Sequence, residues 1–231
     1  MTQRVHRFIV ILSLGAMVAS GCTGGTHSKS EGRDSQNETR PVAEVKSAPA
    51  DNQETEKMKL ETVTLGAGCF WCIEAVLLRV KGVEKVVSGY MGGDVANPTY
   101  KAVCTGETGH AEVVQVDFDP KILPLPQLLD LFWQLHDPTT LNRQGNDIGT
   151  QYRSAIFYHS DGQRDAAVTS KEKWDESGKF TAPIVTEIVP AVEFYQAEDY
   201  HQDFFNRNPG NPYCRAMIIP KFRKLGLLKE E

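Results

Sequence analysis

Cysteine is scarce in this chain: five among 231 residues are too few for a disulfide scaffold. The count is odd, so at least one thiol is unpaired in any intramolecular scheme. No basic excess exists either, with 25 Lys and Arg against 30 Asp and Glu and a net charge of −5. That balance offers nothing to neutralise phosphates and argues against nucleic-acid binding. The N-terminal apolar run, Phe8 to Ala19, is too short to span a bilayer, which takes about 20 residues. A second C-x-x-C and a close His pair are both missing, so no zinc set is completed, and no His follows Cys72, which excludes covalent haem attachment. What remains is 40% hydrophobic, 24% charged and 9% aromatic, the composition of a soluble globular protein.

Arg4, His6 and Arg7 precede the apolar run, which gives residues 1–21 the layout of a signal peptide. Ala19-Ser20-Gly21-Cys22 resembles the lipobox at which bacterial lipoproteins are cleaved and acylated. Cys22 is therefore the expected lipidation site, and the chain is expected at the cell envelope, lipid-anchored to a membrane and facing the periplasm or exterior. Ala19 stands where that pattern more often has a larger aliphatic residue, which leaves ordinary signal cleavage and a secreted soluble protein as the alternative. From residue 22 to residue 59 there is no aromatic and little large aliphatic content, too little apolar surface to offset the entropy of ordering. That segment is expected to be a disordered tether, and residues 60–231 a single folded domain.

Within the domain, Val63 and Leu65 alternate in a strand that runs into Gly66-Ala67-Gly68, and Ile73, Val76, Leu77 and Val80 repeat with the period of a helix stopped by Lys81-Gly82. Val83 to Val87 is a second strand. Glu112 to Phe118 is a third, with Val114, Val116 and Phe118 on one face, and period two places Glu112 on that apolar face. Leu125, Leu128, Leu129 and Phe132 mark a helix ending near Asp137-Pro138, and a long polar loop follows from Thr139 to Arg153. Ala155 to Tyr158 and Ile184 to Val189 are strand-like, Ser160 or Asp161 caps a further helix, and a last helix is expected over Ala197 to Arg207. Interleaved strands and helices predict an α/β or α+β sandwich.

The densest chemistry lies in Gly68-Cys69-Phe70-Trp71-Cys72, where a strand and a glycine turn deliver two cysteines to the first turn of a helix. Free amides and the helix dipole at such an end favour a thiolate, so Cys69 is the expected nucleophile with a lowered pKa. On spacing alone the pair could also be half a metal site or two packed thiols. Phe70 and Trp71 sit about 100° apart on the helix, so at least one ring is expected to face the thiol. An aromatic wall there suits a small, soft, methyl-bearing substrate. Glu112, desolvated on its apolar strand face, is expected to have a raised pKa and to serve as a proton donor; a rim carboxylate is the plainer reading. Cys104 is read as a packed thiol. Glu198, Asp199, His201 and Asp203 have metal-ligand side chains, but they are read as a solvated or pocket-rim helix face, and no metal or cofactor is assigned.

Gly-Cys-Phe-Trp-Cys is followed by Gly89-Tyr90-x-Gly92-Gly93, Asn97-Pro98-Thr99-Tyr100, Gly109-His110-Ala111-Glu112 and Arg143-Gln144-Gly145-Asn146-Asp147-x-Gly149-Thr150-Gln151-Tyr152-Arg153. Ala197-Glu198-Asp199-Tyr200-His201-Gln202 and Asn211-Pro212-Tyr213-Cys214 complete the set. From about Leu60 onward the chain resembles peptide methionine sulfoxide reductase of the A type. The resemblance implies an α+β fold, a two-layer ferredoxin-like sandwich with a mixed sheet and a flexible C-terminal tail. It implies reduction of methionine S-sulfoxide, free or in proteins; separately, the chain is expected to be a monomer. Matched position by position, it implies Cys69 as nucleophile, Phe70 and Trp71 as the wall for the substrate methyl, and Glu112 as acid. Tyr100 and Tyr152 match phenols that bond the sulfoxide oxygen, and Asp147 matches a carboxylate that organises the pocket; without the match both tyrosines read as loop anchors. His110 reads as a turn-stabilising residue. A sulfenic acid on Cys69 would condense with Cys214, favoured as first resolver, or with Cys72, as resolver or relay, and a thioredoxin-like dithiol would recycle the disulfide. A general C-x-x-C thiol–disulfide oxidoreductase and a non-catalytic thiol lipoprotein are the competing readings.

Overall fold

The computed structural model describes residues 59–227; the expectations for the signal peptide, Cys22 and all but the last residue of the tether lie outside them. The strands are β1 (Glu61–Ala67), β2 (Val83–Met91), β3 (Ala111–Phe118), the short pair β4 (Arg143–Gln144) and β5 (Asp147–Ile148), β6 (Ser154–Tyr158), β7 (Glu187–Pro190) and β8 (Tyr195–Gln196). The helices are α1 (Phe70–Leu77), α2 (Tyr100–Val103), α3 (Leu125–Leu135), α4 (Asp161–Glu176), α5 (Phe204–Arg207) and α6 (Ile219–Lys224).

Six strands form one sheet in the order β7-β6-β1-β3-β2-β8. Its centre, β6-β1-β3-β2, is antiparallel at every joint and is wound β1-α1-β2-β3-α3-β6, the ferredoxin-like arrangement. β7 adds parallel to β6 and β8 antiparallel to β2, which makes the sheet mixed. Alternation along the strands sorts the layers. Val63, Leu65 and Ala67 with Val114, Val116 and Phe118 pack with Ile73, Val76 and Leu77 of α1 and Leu128, Leu129 and Phe132 of α3. The other face carries a smaller cluster of Met91, Ala111, Val113, Ala155 and Phe157. Burying each large aliphatic or aromatic side chain contributes roughly 1.5–3 kcal/mol, so the α1–sheet–α3 layer holds the rigid frame on which the thiols stand.

Two glycines are required by close approach. A Cβ at Gly93 would lie 2.3 Å from both the His110 backbone N and the Thr108 O, because the two turns touch there. His110 joins them: Gly93 N donates to its Nδ1 at 3.1 Å and its Nε2 bonds Val95 O at 2.8 Å, the turn-stabilising role read from the sequence. Gly68, at φ +86, sits under Gln144, whose side chain would be 2.6 Å from any Cβ.

Three local expectations fail, the first because distant partners compete for the backbone. The helix expected over Ala197 to Arg207 is a 3₁₀ turn (Asp199–His201) and a separate α5, broken at Asp203 with φ 51. Gln202 is pulled away to bond the backbone of Ser88 at both N and O, and the buried Glu74 of α1 accepts from the amides of Asp203 and Phe204. The segment around Cys214, expected as a loop-like tail, is a π-helical turn (Cys214–Ile218) continuing into α6, anchored by the buried Cys214, Ile218 and Phe222. Cys104, expected to be packed, is exposed at the end of α2.

Candidate active site

Cys69 is the residue immediately before α1, 9% exposed, with its carbonyl accepting from the Cys72 amide at 3.1 Å. The helix end it flanks is capped from across the sheet: the Glu112 carboxylate accepts from Phe70 N at 3.1 Å. β3 supplies Glu112 on its apolar face, opposite Tyr90 of β2 in the register, as alternation predicts. Nucleophile and acid thus share one helix terminus although 43 residues separate Cys69 from Glu112.

Electrostatics at this terminus differ from the expectation for the thiol and agree with it for the carboxyl. Burial pushes the Cys69 thiol well up, and its hydrogen bond with Cys72 adds to that. The helix end does not compensate, because one of its free amides is already taken by Glu112. Cys72, on the receiving side of the same bond, is held below its usual value. Glu112 is raised well above the carboxylate range, first by burial and then by the nearby Cys69 charge. Cys69 and Glu112 therefore resist being negative together, and the site keeps a proton available near neutral pH.

The two phenols arrive on neighbouring turns. Tyr100 opens α2, whose first turn is capped by the Thr99 hydroxyl, and Tyr152 closes a 3₁₀ turn (Thr150–Tyr152). Thr150 Oγ1 donates to Gly106 O at 3.0 Å and Gln151 Nε2 to Cys104 O at 3.4 Å, which fastens the second turn to the end of the first. Burial raises both phenols, so both remain O–H donors across the working range, and the charge of Glu112 acts on each. The Tyr100 hydroxyl also bonds Cys104.

Trp71 is half-buried, with its indole stacked flat on Phe204 at 3.7 Å and its Nε1 donating to His201 Nδ1 at 3.0 Å. Phe70 is buried, 5.0 Å from the His201 ring and 5.9 Å from Tyr90. Asp147, on β5, accepts from the Tyr213 hydroxyl at 2.9 Å, and Cys72 Sγ donates to the same hydroxyl at 3.9 Å. Cys214, the residue after Tyr213, is fully buried and lies near enough for the Cys69 charge to raise its thiol, after burial.

All the residues matched from the sequence motifs are therefore in one neighbourhood. Sequence reasoning missed three others. Tyr213 bridges Asp147 and Cys72. Glu198 accepts from Tyr90 Oη and from the Tyr100 amide, both at 2.9 Å. His201, 1% exposed, holds Trp71 and packs 4.4 Å from the Tyr100 ring. Glu198 and His201 belonged to the set read as a rim face; the i, i+3 spacing of an acid and a histidine was the available signal.

A sequence model described as peptide methionine sulfoxide reductase matches residues 61–229. The chain is 55% identical over 166 residues to peptide methionine sulfoxide reductase MsrA of Psychrobacter cryohalolentis, covering 72% of this chain and 94% of that one. It is 54% identical over 165 residues to the MsrA of Sulfolobus acidocaldarius, covering 71% and 93%. Among solved structures, Mxr1 from Saccharomyces cerevisiae in reduced form is similar with a TM-score of 0.65 at 38% identity, over 70% of this chain and 93% of that one. Methionine sulfoxide reductase A of Corynebacterium diphtheriae is similar with a TM-score of 0.60 at 37% identity, over 66% and 76%. Thiol, acid and aromatic wall on this fold, with relatives matched across nearly their whole length, place the chain in the peptide methionine sulfoxide reductase family of oxidoreductases.

Proposed function

We propose that the site reduces the S epimer of methionine sulfoxide, free or within proteins, through attack of Cys69 on sulfur and proton delivery from Glu112 to oxygen. The observation that carries this is the sharing of one helix terminus by the buried thiol and the proton-holding carboxyl, through the Phe70 amide. The Cys69 thiolate bonds the substrate sulfur as Glu112 gives its proton to the oxygen; the oxygen then passes to the Cys69 sulfur as the S–O bond to substrate and the transient sulfur–sulfur bond break, so methionine leaves, Cys69 carries a sulfenic acid and Glu112 is left as carboxylate. Tyr100 and Tyr152 donate to the oxygen, Phe70 and Trp71 receive the methyl, and Asp147 keeps the opposite rim in place through Tyr213. Oxygen, methyl and incoming thiolate each have an assigned side of a pyramidal sulfur, and three fixed sides select one hand.

A second thiol condenses with the sulfenic acid to a disulfide and water, and a thioredoxin-like dithiol returns the enzyme to its reduced state. The test is turnover of racemic methionine sulfoxide by the full chain with dithiothreitol, with the epimers resolved. Consumption of the S epimer alone is expected, leaving about half of the racemate untouched; equal consumption of both, or of neither, overturns the reading.

The lipobox-like segment supports a second part of the proposal: Cys22 carries lipid and anchors the enzyme at the cell envelope, facing the periplasm or exterior. Full-length chain expressed in a diderm bacterium is expected to incorporate labelled palmitate, and Cys22→Ser to lose the label. A label that survives Cys22→Ser removes the anchor from this residue.

A further inference from the structure

Two thiols compete to resolve an oxidised Cys69, and the structure treats them differently. Cys72 lies one helical turn along α1, where Cα atoms are about 5–5.5 Å apart, inside the range of roughly 4.4–6.8 Å that a disulfide requires. It already shares a side-chain hydrogen bond with Cys69, and the half-buried Lys221 ammonium favours its thiolate. Cys214 shares no hydrogen bond with Cys69 among those of the described residues, and its amide is held by Asn211 Oδ1 at 3.4 Å inside the π-helical turn. Tyr213 precedes it directly. That phenol donates to Asp147 Oδ2 at 2.9 Å, accepts from Cys72 Sγ at 3.9 Å, also bonds Cys69, and packs edge-on to Trp71 at 5.8 Å. Cys214 shares a peptide bond with Tyr213, so a shift of the Cys214 backbone acts directly on the Tyr213–Asp147 bond.

We propose that Tyr213 is a positioning residue that makes Cys72 the first resolving thiol and admits Cys214 only by exchange, once its own bond to Asp147 opens. The proposal rests on Cys69 being the nucleophile that becomes a sulfenic acid. In the first step the Cys72 sulfur attacks the Cys69 sulfur, the S–O bond breaks, and the hydroxyl leaves as water with the Cys72 proton. In the second, the Cys214 thiolate attacks the Cys69 sulfur and expels Cys72, the better leaving group of the pair because its thiolate is favoured. No electrons are gained or lost in the exchange. The Cys69–Cys214 bond is then presented to the external dithiol, with Cys72 free again.

The test is single turnover of the reduced full chain with one equivalent of methionine sulfoxide, acid-quenched at successive times, with disulfides mapped by peptide mass spectrometry. Cys69–Cys72 is expected first, decaying as Cys69–Cys214 appears. In Tyr213→Phe, which keeps the ring and removes the hydroxyl, the early share of Cys69–Cys214 should rise about 10-fold, the effect of losing one buried hydrogen bond. Cys72→Ser should form its first disulfide at least about 10-fold more slowly than the native chain. A merely structural Tyr213 would change rates without changing which disulfide comes first. Cys69–Cys214 as the earliest species in the native chain overturns the proposal even if Tyr213→Phe fails to fold. If no methionine is released at all, the failure belongs to Cys69 as nucleophile; one equivalent released with the reverse order of disulfides sinks the order alone.

Discussion

Replacing Cys69 by Ser is expected to abolish sulfoxide reduction, a loss on the order of 10⁴-fold or more, while the fold survives. The first half follows from chemistry: the step forms a bond from the side chain to the substrate sulfur and leaves the oxygen on that side chain. A serine hydroxyl is a far weaker nucleophile towards sulfur and has no sulfenic acid or disulfide to form, so the covalent route ends and no other residue substitutes for it. The second half follows from the environment. Cys69 accepts one backbone bond through its carbonyl and makes no capping bond through its sulfur, so serine inherits the helix start unchanged. The check is twofold: turnover with dithiothreitol, and trapping with a sulfenic-acid reagent in a background lacking both Cys72 and Cys214. Trapped sulfenic acid at residue 69 is expected with native Cys69 and absent with serine. Residual turnover of even one-hundredth of the native rate in Cys69→Ser would require a second nucleophile.

What the sequence made legible is what depends on near neighbours. Alternation along β3 placed Glu112 on the apolar face, and the strand–glycine–cysteine order placed Cys69 at a helix start; both hold. What stayed illegible depends on partners far along the chain. The break at Asp203 is imposed by Glu74 and Ser88, more than a hundred residues away, and local periodicity carries no trace of either. Tyr213 looked like a tail residue because its partner Asp147 is 66 positions distant. The acidity of Cys69 was misjudged for the same reason. A helix terminus in isolation lowers a thiol pKa, but here a carboxylate from β3 occupies the Phe70 amide and the surroundings are dry.

Glu112→Gln should cut kcat/KM by about 10²–10⁴-fold, the usual contribution of a positioned general acid. The amide fits the same space and its oxygen can still accept from Phe70 N, so what is removed is the transferable proton. The pH profile separates this from a packing defect. In the native chain Glu112 and Cys69 are both raised and repel each other's charge, so the reactive form is the one in which the pair holds a single proton. Activity should therefore climb as the pair loses its first proton and fall as it loses its second, with both apparent values belonging to the pair. In Glu112→Gln the falling limb disappears, because no acid is left to ionise, and the rising limb moves to higher pH, because Cys69 alone must now lose the proton that the pair could lose from either group. Stability should move in the opposite sense to activity. A carboxyl whose folded pKa lies above its unfolded value of about 4.3 binds more protons in the native state, so it makes stability fall as pH rises from there through the raised value. Glutamine lacks that term, and thermal unfolding followed from pH 5 to pH 8 should find Glu112→Gln at least as stable as the native chain, with the gap widening as pH rises. A variant as active as the native chain, or one that loses stability and activity together with an unchanged pH profile, would return Glu112 to a structural role.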